Sequence, residues 1–387
     1  MTEIRRHTRF ASAWDVARAL QPTDPVYCVR PHAVREASAR FVEAFPGRVL
    51  YALKCNPHPT FVESVVAGGV EAFDTASLSE VRQIRENWPT AACYFMNPVK
   101  SRAAITTARH VYGISHFVVD HVDELYKLSD QLGSDSDVVA VVRMTTEKDH
   151  RTTFHLAEKF GAEPPNAVAL LREARALGFH TGLAFHVGSQ CLSPEAYSHA
   201  LKRAGEVIAH AGVPIVCLDV GGGFPARYGS TSVPTMEDFM AAIRVGLERL
   251  ALPAGCEIIA EPGRALVAEG CSLLLQVHLR KGRRLYVNDG IYGSLSEVAA
   301  AGLHVPAELI RFNGDLSGAP QKFDLAGPTC DSLDIIHNVI TVPDDVKEGD
   351  WLALHSMGAY SNTLVTCFNG FNPDTFVEVT DDAPRHD

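Results

Sequence analysis

The sequence predicts an α/β fold in which a (β/α)8 TIM barrel is joined to a second, all-β domain. Its 387 residues exceed what one ordinary hydrophobic core serves. Eight short, β-branched runs alternate with helix-like segments up to residue 264, which is the pattern of a closed parallel barrel. Beyond that residue, turns rather than long helices separate the apolar runs, which indicates an all-β domain. An open, doubly wound sheet is the alternative for the first part.

The barrel strands are predicted from the apolar runs in chain order. They cover residues 49–53, 70–73, 93–96, 117–119, 138–142, 183–185, 215–218 and 257–260. Segments with apolar residues at helical spacing lie between them, at 59–67, 77–86, 123–131, 165–177, 194–211 and 236–250. Because strand and helix alternate throughout, neighbouring strands are expected to run parallel.

The second domain is expected to form from both ends of the chain. We place the barrel at residues 30–265 and a β-sandwich or barrel-like domain at 1–29 and 266–387. Strands of this domain are predicted at 272–279, 284–287, 351–354 and 376–379. Residues 25–29 are predicted to add one strand to it before the chain enters the barrel.

Composition argues against several functional classes. Lysine and arginine number 35 against 46 acidic residues, a formal net charge of −11, so the surface is expected to repel nucleic acid. The nine cysteines form no CxxC pair, and no cluster of side chains has the spacing of metal ligands, so no metal is expected. No apolar run is long enough for a membrane span, and no secretory leader is evident. We therefore expect a soluble, cytoplasmic protein.

Polar residues gather directly after the predicted barrel strands, where the active sites of such barrels lie. In chain order they are Lys54, Asp74, Asn97, Asp120, Arg143, His186, Asp219 and Glu261, followed by Arg264. Cations, acids and an imidazole around one barrel mouth indicate catalysis on a charged small molecule.

Two of these features suggest specific chemistry. Lys54 follows an apolar strand, where partial desolvation is expected to disfavour its ammonium form and suit it to Schiff-base chemistry. The alternative is a lysine that extends from the strand end into solvent. Residues 221–223 are three glycines whose backbone N–H groups can approach a phosphate, with Arg264 after the next strand. The alternative for the glycines is a tight strand-to-helix turn.

Seven motifs, spaced in order along the chain, carry a family resemblance. They are YALKCNP at 51–57, FDTAS at 73–77, HVGS at 186–189, GGGFP at 221–225, EPGR at 261–264, GPTCD at 327–331 and GAY at 358–360. Together they resemble the fold-type III pyridoxal-phosphate-dependent decarboxylases, the group that includes ornithine and lysine decarboxylases. The resemblance extends from about residue 30 to residue 371.

The resemblance implies a role for each residue at the barrel mouth. Lys54 is expected to bind pyridoxal 5'-phosphate as a Schiff base, Glu261 to keep the ring nitrogen protonated, and His186 to stack on the ring. Asp74 and Arg143 are expected to support Lys54 and the ring. The expected phosphate contacts are Ser189, Gly222, Gly223, Gly263, Arg264 and Tyr360.

The resemblance also implies a homodimer whose active sites are shared between subunits. Cys330 is expected to cross the interface and protonate the substrate carbon, and Asp331 to bind the distal amine of the substrate, with Phe368 beside them. Lys159 and Asp334 match positions that pair between subunits. The alternative for that pair is two solvated charges.

The implied reaction is decarboxylation of a basic L-amino acid, with L-ornithine to putrescine first, L-lysine to cadaverine second, and polyamine biosynthesis as the setting. A second carboxylate for the distal amine is missing from residues 309–313, and Glu297 or Asp315 is a candidate replacement. L-Arginine, diaminopimelate or a derivatised diamino acid is therefore an alternative substrate. An amino-acid racemase, which the carboxylate of Glu261 opposes, and a non-catalytic regulatory homologue are further alternatives.

Overall fold

The computed structural model describes residues 9–133, 137–147, 152–154, 159–229 and 232–382. Its helices are α1 (Ala13–Leu20), α2 (Pro31–Ala44), α3 (Pro59–Ala67), α4 (Leu78–Asn87), α5 (Arg102–His110), α6 (Val122–Leu132), α7 (Pro164–Ala176), α8 (Pro194–Ala211), α9 (Met236–Glu248), α10 (Arg264–Val267) and α11 (Ser296–Ala301). Its strands are β1 (Arg9–Phe10), β2 (Val26–Val29), β3 (Arg48–Ala52), β4 (Ala72–Thr75), β5 (Ala92–Phe95), β6 (His116–Val119), β7 (Val139–Arg143), β8 (Thr152–Phe154), β9 (His180–Ala184), β10 (Ser189–Cys191), β11 (Cys217–Asp219), β12 (Glu257–Ala260), β13 (Cys271–Lys281), β14 (Arg284–Val287), β15 (Ala307–Ile310), β16 (Pro320–Ala326), β17 (Ile335–Pro343), β18 (Trp351–Leu354) and β19 (Thr375–Val379). Single 3₁₀ turns lie at Leu53–Cys55, Ala268–Gly270 and Phe368–Gly370.

Eight parallel strands close into a barrel in the order β3, β4, β5, β6, β7, β9, β11, β12. The barrel closes where Ile259 of β12 pairs with Arg48 of β3, so the open doubly wound sheet is excluded. Each predicted barrel strand overlaps an observed one, and the predicted barrel is therefore confirmed. The short antiparallel pair β8 and β10 is additional to the barrel.

The strands carry apolar side chains on both faces because helices cover the outside of the barrel and side chains fill its interior. In β7, Val139 and Val141 belong to a cluster inside the barrel, whereas Ala140 and Val142 pack in the layer between the strands and the helices. This alternation explains why the strands appear in the sequence as continuous apolar runs. It also leaves only the strand ends for polar function.

The second domain contains a nine-stranded sheet built from both ends of the chain. β2, which precedes the barrel, lies between β13 and β19 and pairs with both, as predicted for residues 25–29. The domain also includes two short helices, α1 and α11, which the prediction of an all-β domain did not include. α1 begins at Ser12, whose side chain accepts the backbone N–H of Asp15.

The division of the chain at residues 30 and 265 stays our proposal. All barrel strands fall inside that interval, and every strand of the nine-stranded sheet falls outside it. Among the described residues, no helix is both long and apolar enough to cross a membrane.

Candidate functional site

Lys54 lies at the carboxyl end of β3, in the 3₁₀ turn that follows the strand. Its ammonium group forms an ion pair with Asp74 at the end of β4, and the Asp74 side chain is buried. Burial alone lowers the pKa of Lys54, but the attraction of Asp74, Tyr360 and Glu261 outweighs it, so the pKa is raised. The expectation that the ammonium form is disfavoured is therefore wrong for the cofactor-free protein.

Two buried carboxyl groups face each other beside this lysine. Asp219, at the end of β11, is close enough to Glu261, after β12, for its negative charge to act on the Glu261 carboxyl. Burial raises the pKa of Asp219 to about 7 and raises that of Glu261 well above its usual value. The pair therefore retains a proton near neutral pH. The sequence placed Asp219 at a strand end without assigning it a role.

His186 follows β9 and is electrically neutral. Burial lowers its pKa well below the usual value, and the positive charges of Arg143 and Lys54 lower it further. Its Nδ1 accepts the backbone N–H of Gly188 at 2.9 Å, so the ring proton resides on Nε2. Arg143, at the end of β7, is close enough for Glu261 and Asp74 to attract its charge.

The glycine run packs closely against the neighbouring loops. A Cβ at Gly223 would lie 2.3 Å from the carbonyl oxygen of Gly188, and Gly223 has φ +105°, so only glycine fits. A Cβ at Gly222 would lie 2.5 Å from the carbonyl oxygen of Glu261. Gln190 and Ala226 exchange two hydrogen bonds, which fasten this loop to the strand that carries Ser189.

Arg264 is buried and has several side-chain partners. One terminal nitrogen donates to the Tyr228 hydroxyl at 2.7 Å and to Glu297 at 3.0 Å. The other donates to Glu297 at 2.5 Å and to the Ser189 hydroxyl at 3.2 Å. Tyr228 was not predicted as a site residue, and Glu297 was considered only as a carboxylate for the distal amine, because nothing in the sequence connects either of them to Arg264. Glu297, as a partner of Arg264, is also not free to replace the missing distal carboxylate.

The second domain completes the cavity with Tyr360. Its backbone N–H donates to the carbonyl of Cys55 at 2.9 Å, and the centre of its ring lies 5.2 Å from the Arg264 guanidinium carbon. The structure thus brings most of the predicted cofactor residues to one small cavity, which is lined by Ala52, Lys54, His186, Ser189, Gly223, Phe224, Glu261, Gly263, Arg264 and Tyr360.

Cys330, Asp331 and Phe368 lie elsewhere, on the surface of the second domain, and do not line this cavity. Asp331 accepts hydrogen bonds from the Tyr292 hydroxyl and from the backbone N–H of Leu333. The Leu333 N–H and the Tyr292 hydroxyl lower the pKa of Asp331, so its carboxylate stays charged. The ring centres of Tyr292 and Phe368 are 4.7 Å apart. We call Cys330, Asp331 and Phe368 the surface patch.

Asp334 is buried, so its description as a solvated charge is wrong. It accepts the backbone N–H groups of Ile291 at 2.8 Å and Thr329 at 3.2 Å, and the Thr329 hydroxyl at 2.7 Å. Lys159 is exposed, with its amine 4.9 Å from the centre of the Phe160 ring. Asp315 is exposed as well, and its backbone carbonyl accepts a hydrogen bond from Arg311.

The cavity has the donors and acceptors that pyridoxal phosphate needs. Lys54 supplies a primary amine, and Glu261 Oε1 is a buried acceptor without a donor. At the other end, Arg264 Nε is a buried donor without an acceptor, next to the glycine backbone. Among the described residues there is no group of three or more metal-ligating side chains. These residues fit an organic cofactor with an aldehyde, a ring nitrogen and a phosphate.

Comparisons with known proteins agree with this chemistry. Residues 32–268 match the family described as pyridoxal-dependent decarboxylase, pyridoxal binding domain. Ornithine decarboxylase of Schizosaccharomyces pombe is 33% identical over 353 residues, which cover 86% of this chain and 78% of that protein. The solved structures include the agmatine-bound arginine decarboxylase of Paramecium bursaria Chlorella virus, which is 28% identical with a TM-score of 0.83 over 94% of this chain and 99% of that one.

A further solved structure is lysine/ornithine decarboxylase of Vibrio vulnificus complexed with cadaverine. It is 31% identical, with a TM-score of 0.81 over 96% of this chain and 100% of that one. The predicted family, cofactor and enzyme class are confirmed by these matches. The chain belongs to the pyridoxal-dependent decarboxylases, as an enzyme that acts on a basic amino acid with pyridoxal phosphate as its cofactor.

Proposed function

We propose that the enzyme converts L-ornithine to putrescine, with L-lysine as the second substrate. Asp331 is the observation that carries this proposal. Its carboxylate is held in the charged form at the surface of the second domain, where a distal ammonium group can bind it from solvent. Relatives that act on ornithine, lysine and arginine support the same substrate class.

Each residue of the cavity has a proposed task. When bound, pyridoxal phosphate supplies an electron-accepting ring, which would stabilise the electron pair that stays on the substrate carbon when CO₂ leaves. Lys54, the lysine that lines the cavity, would hold the cofactor through its aldehyde group. Glu261 is placed to accept the ring N–H, because its Oε1 is a buried acceptor without a donor. The neutral ring of His186 packs against the cofactor without adding charge.

The phosphate end is proposed to bind through backbone and hydroxyl groups together with Arg264. Gly223 lines the cavity directly after Gly222, and Ser189 accepts from Arg264, so its own proton is free for an anion. Gly263 and Tyr360 complete the cavity at this end. Asp74 holds Lys54, and Arg143 supplies a positive charge near Glu261.

We also propose that two copies of the chain form the active enzyme, with the surface patch of each completing the cavity of the other. Large apolar side chains in and beside the patch are exposed in the single chain: Phe368, in the patch, is 40% accessible, and Leu333, beside it, is 70% accessible. Such a surface is typical of an interface. In this arrangement Cys330 delivers the proton to the substrate carbon and Lys159 approaches Asp334. All nine cysteines are free of disulfides, which supports a reducing, cytoplasmic setting.

A longer substrate is the second candidate, because the distal amine has only one assigned carboxylate. Glu297 is bound to Arg264, and residues Ala307–Ile310 form strand β15, whose Leu309 and Ile310 are buried. With Asp331 as its one assigned carboxylate, the pocket discriminates weakly between substrates whose side chains differ in length. L-lysine and L-arginine are therefore the alternatives to L-ornithine.

The test combines one variant with a panel of substrates. Lys54→Ala is expected to abolish both decarboxylation and the visible absorbance of bound cofactor, because no other amine in the cavity replaces it. The wild-type enzyme is then assayed for CO₂ and amine product with L-ornithine, L-lysine, L-arginine, meso-diaminopimelate and D-ornithine. Turnover in Lys54→Ala contradicts the cofactor assignment. Turnover of another amino acid, with none of ornithine, contradicts the substrate assignment.

A further inference from the structure

Glu297 binds the same arginine that the cofactor's phosphate is expected to use. It lies in the first turn of the short helix α11 of the second domain, and its carboxylate contacts Arg264 of the barrel through both oxygens. We propose that Glu297 competes with the phosphate for Arg264 and thereby sets how strongly the enzyme prefers a phosphorylated cofactor. This inference rests on the proposed role of Arg264 at the phosphate end.

A count of donors shows how completely Arg264 is occupied. A guanidinium group has five N–H donors, four of them on the two terminal nitrogens. Those nitrogens make four hydrogen bonds, two to Glu297, one to Tyr228 and one to Ser189. Only Nε has no acceptor, and it is buried. An incoming phosphate therefore uses Nε alone, or takes a donor away from one of these partners.

A count of charges leads to the same conclusion. Lys54 and Arg264 are the only lysine and arginine side chains among the residues that line the cavity. Lys54 is paired with Asp74, and Arg264 with Glu297. Both lining cations are thus already neutralised when an anion arrives. Glu297 is itself nearly buried, so solvent screens its charge little.

Removal of the Glu297 carboxylate is expected to increase the affinity for phosphate through three effects. A negative charge near the phosphate disappears, and an Arg264 donor becomes available to it. The cofactor-free protein is also destabilised, because a buried guanidinium loses its counter-charge. A bound anion replaces the lost counter-charge. It therefore stabilises the variant more than the wild-type protein, which means that the variant binds phosphate more tightly.

The experiment compares wild-type protein with Glu297→Gln, which is nearly the same size and has no charge. Cofactor-free samples are titrated with pyridoxal 5'-phosphate and with pyridoxal. The dissociation constant of pyridoxal divided by that of pyridoxal 5'-phosphate is the ratio that measures the preference for phosphate. We expect this ratio to rise by about tenfold or more in Glu297→Gln. We also expect a lower melting temperature for the empty variant, which inorganic phosphate raises more than it raises that of wild type. An unchanged or smaller ratio overturns the inference.

Asp350→Asn is the matched control, because Asp350 also pairs through both oxygens with a buried arginine, Arg311, outside the cavity. It is expected to lower the melting temperature without changing the ratio. In an Arg264→Ala background only the direct repulsion between Glu297 and the phosphate remains, so Glu297→Gln is expected to change the ratio much less than it does with Arg264 present. An undiminished effect there contradicts competition for Arg264. If Glu297→Gln does not fold, Glu297→Asp takes its place, because the shorter side chain cannot reach both terminal nitrogens. It must also raise the ratio.

The readout is separate from substrate turnover. A protein that shows these shifts but does not decarboxylate ornithine contradicts the proposed function and supports this inference. A protein that decarboxylates ornithine while Glu297→Gln leaves the ratio unchanged does the opposite.

Discussion

The barrel cavity and the surface patch differ in how far one chain completes them. In the cavity, Lys54 forms an ion pair with Asp74, and Arg264 forms one with Glu297. Glu261 lies beside Asp219, and each of the three pairs includes at least one buried member. In the surface patch, Cys330 is exposed, and the carboxylate of Asp331 has only a hydroxyl and a backbone N–H as partners. One chain therefore brings the residues of the cavity together and leaves the residues that we propose to bind substrate at its surface.

The difference follows from the cost of burying charge. A buried charge without a partner is very unfavourable, so the cations Lys54 and Arg264 lie beside carboxylates, and the neighbouring acids Asp219 and Glu261 have raised pKa values. The surface patch lacks that constraint, because water solvates Asp331. Leu333 and Phe368, the exposed apolar side chains next to Asp331, contribute to stability only when another surface covers them and removes them from water. The two regions thus make separable predictions: changes in the cavity act on the cofactor, and changes in the patch act on the substrate.

The largest expected effect comes from mixing two inactive variants. Lys54→Ala removes the cofactor amine from the cavity, and Cys330→Ala removes the proton donor from the patch, so each variant alone is expected to lose nearly all activity. If the two regions meet across subunits, a one-to-one mixture regains about a quarter of wild-type activity, because half of randomly assembled dimers contain one native site. The measurement is CO₂ release after dissociation and reassembly.

Mixing Lys54→Ala with the double variant Lys54→Ala/Cys330→Ala provides the control, since no dimer of these two contains a native cavity. Activity in that mixture, or none in the first one, contradicts a shared site.

A smaller effect is expected from Asp331→Asn. The variant keeps the shape of the side chain but removes the charge that is proposed to bind the distal ammonium, so KM for L-ornithine is expected to rise by about 10- to 100-fold. The dissociation constant of pyridoxal phosphate is expected to stay the same, because Asp331 does not line the cavity. Asp315→Asn, an exposed carboxylate of the same domain, is the matched control and should change neither value. Loss of cofactor in Asp331→Asn contradicts the separation of the two regions.

The sequence predicted the barrel well because its signal is local. Each strand is a short apolar run that helices cover on one side and side chains on the other, so run and strand coincide within a few residues. Lys54, His186 and Glu261 were found for the same reason, since each directly follows such a run. The helices α1 and α11 were missed because each is too short to show a periodic pattern.

The partners of the site residues were not predictable in the same way. Glu297 contacts Arg264 across 33 positions and from a different domain, so no spacing rule relates them. The alternative of a solvated charge for Asp334 rested on its polarity alone. The side chain is buried and accepts three hydrogen bonds within its own domain. Lys54 was judged by burial alone, whereas the charge of Asp74 decides its protonation. In each instance the missing information is a contact between distant parts of the chain.

Asp74→Asn tests the last of these contacts and carries the smallest expected effect, a displacement along the pH axis. Asp74 favours the ammonium form of Lys54, so its neutralisation is expected to lower the pKa of Lys54 by about one unit or more. Attachment of pyridoxal phosphate needs the unprotonated amine. At a fixed pH below the midpoint, attachment to the cofactor-free variant is therefore expected to be faster than in wild type, and its pH profile to move toward lower pH. Asp120→Asn is the control, because Asp120 also follows a barrel strand but accepts the backbone N–H of Gly161. A profile that stays in place, or moves toward higher pH, means that Asp74 does not set the charge of Lys54.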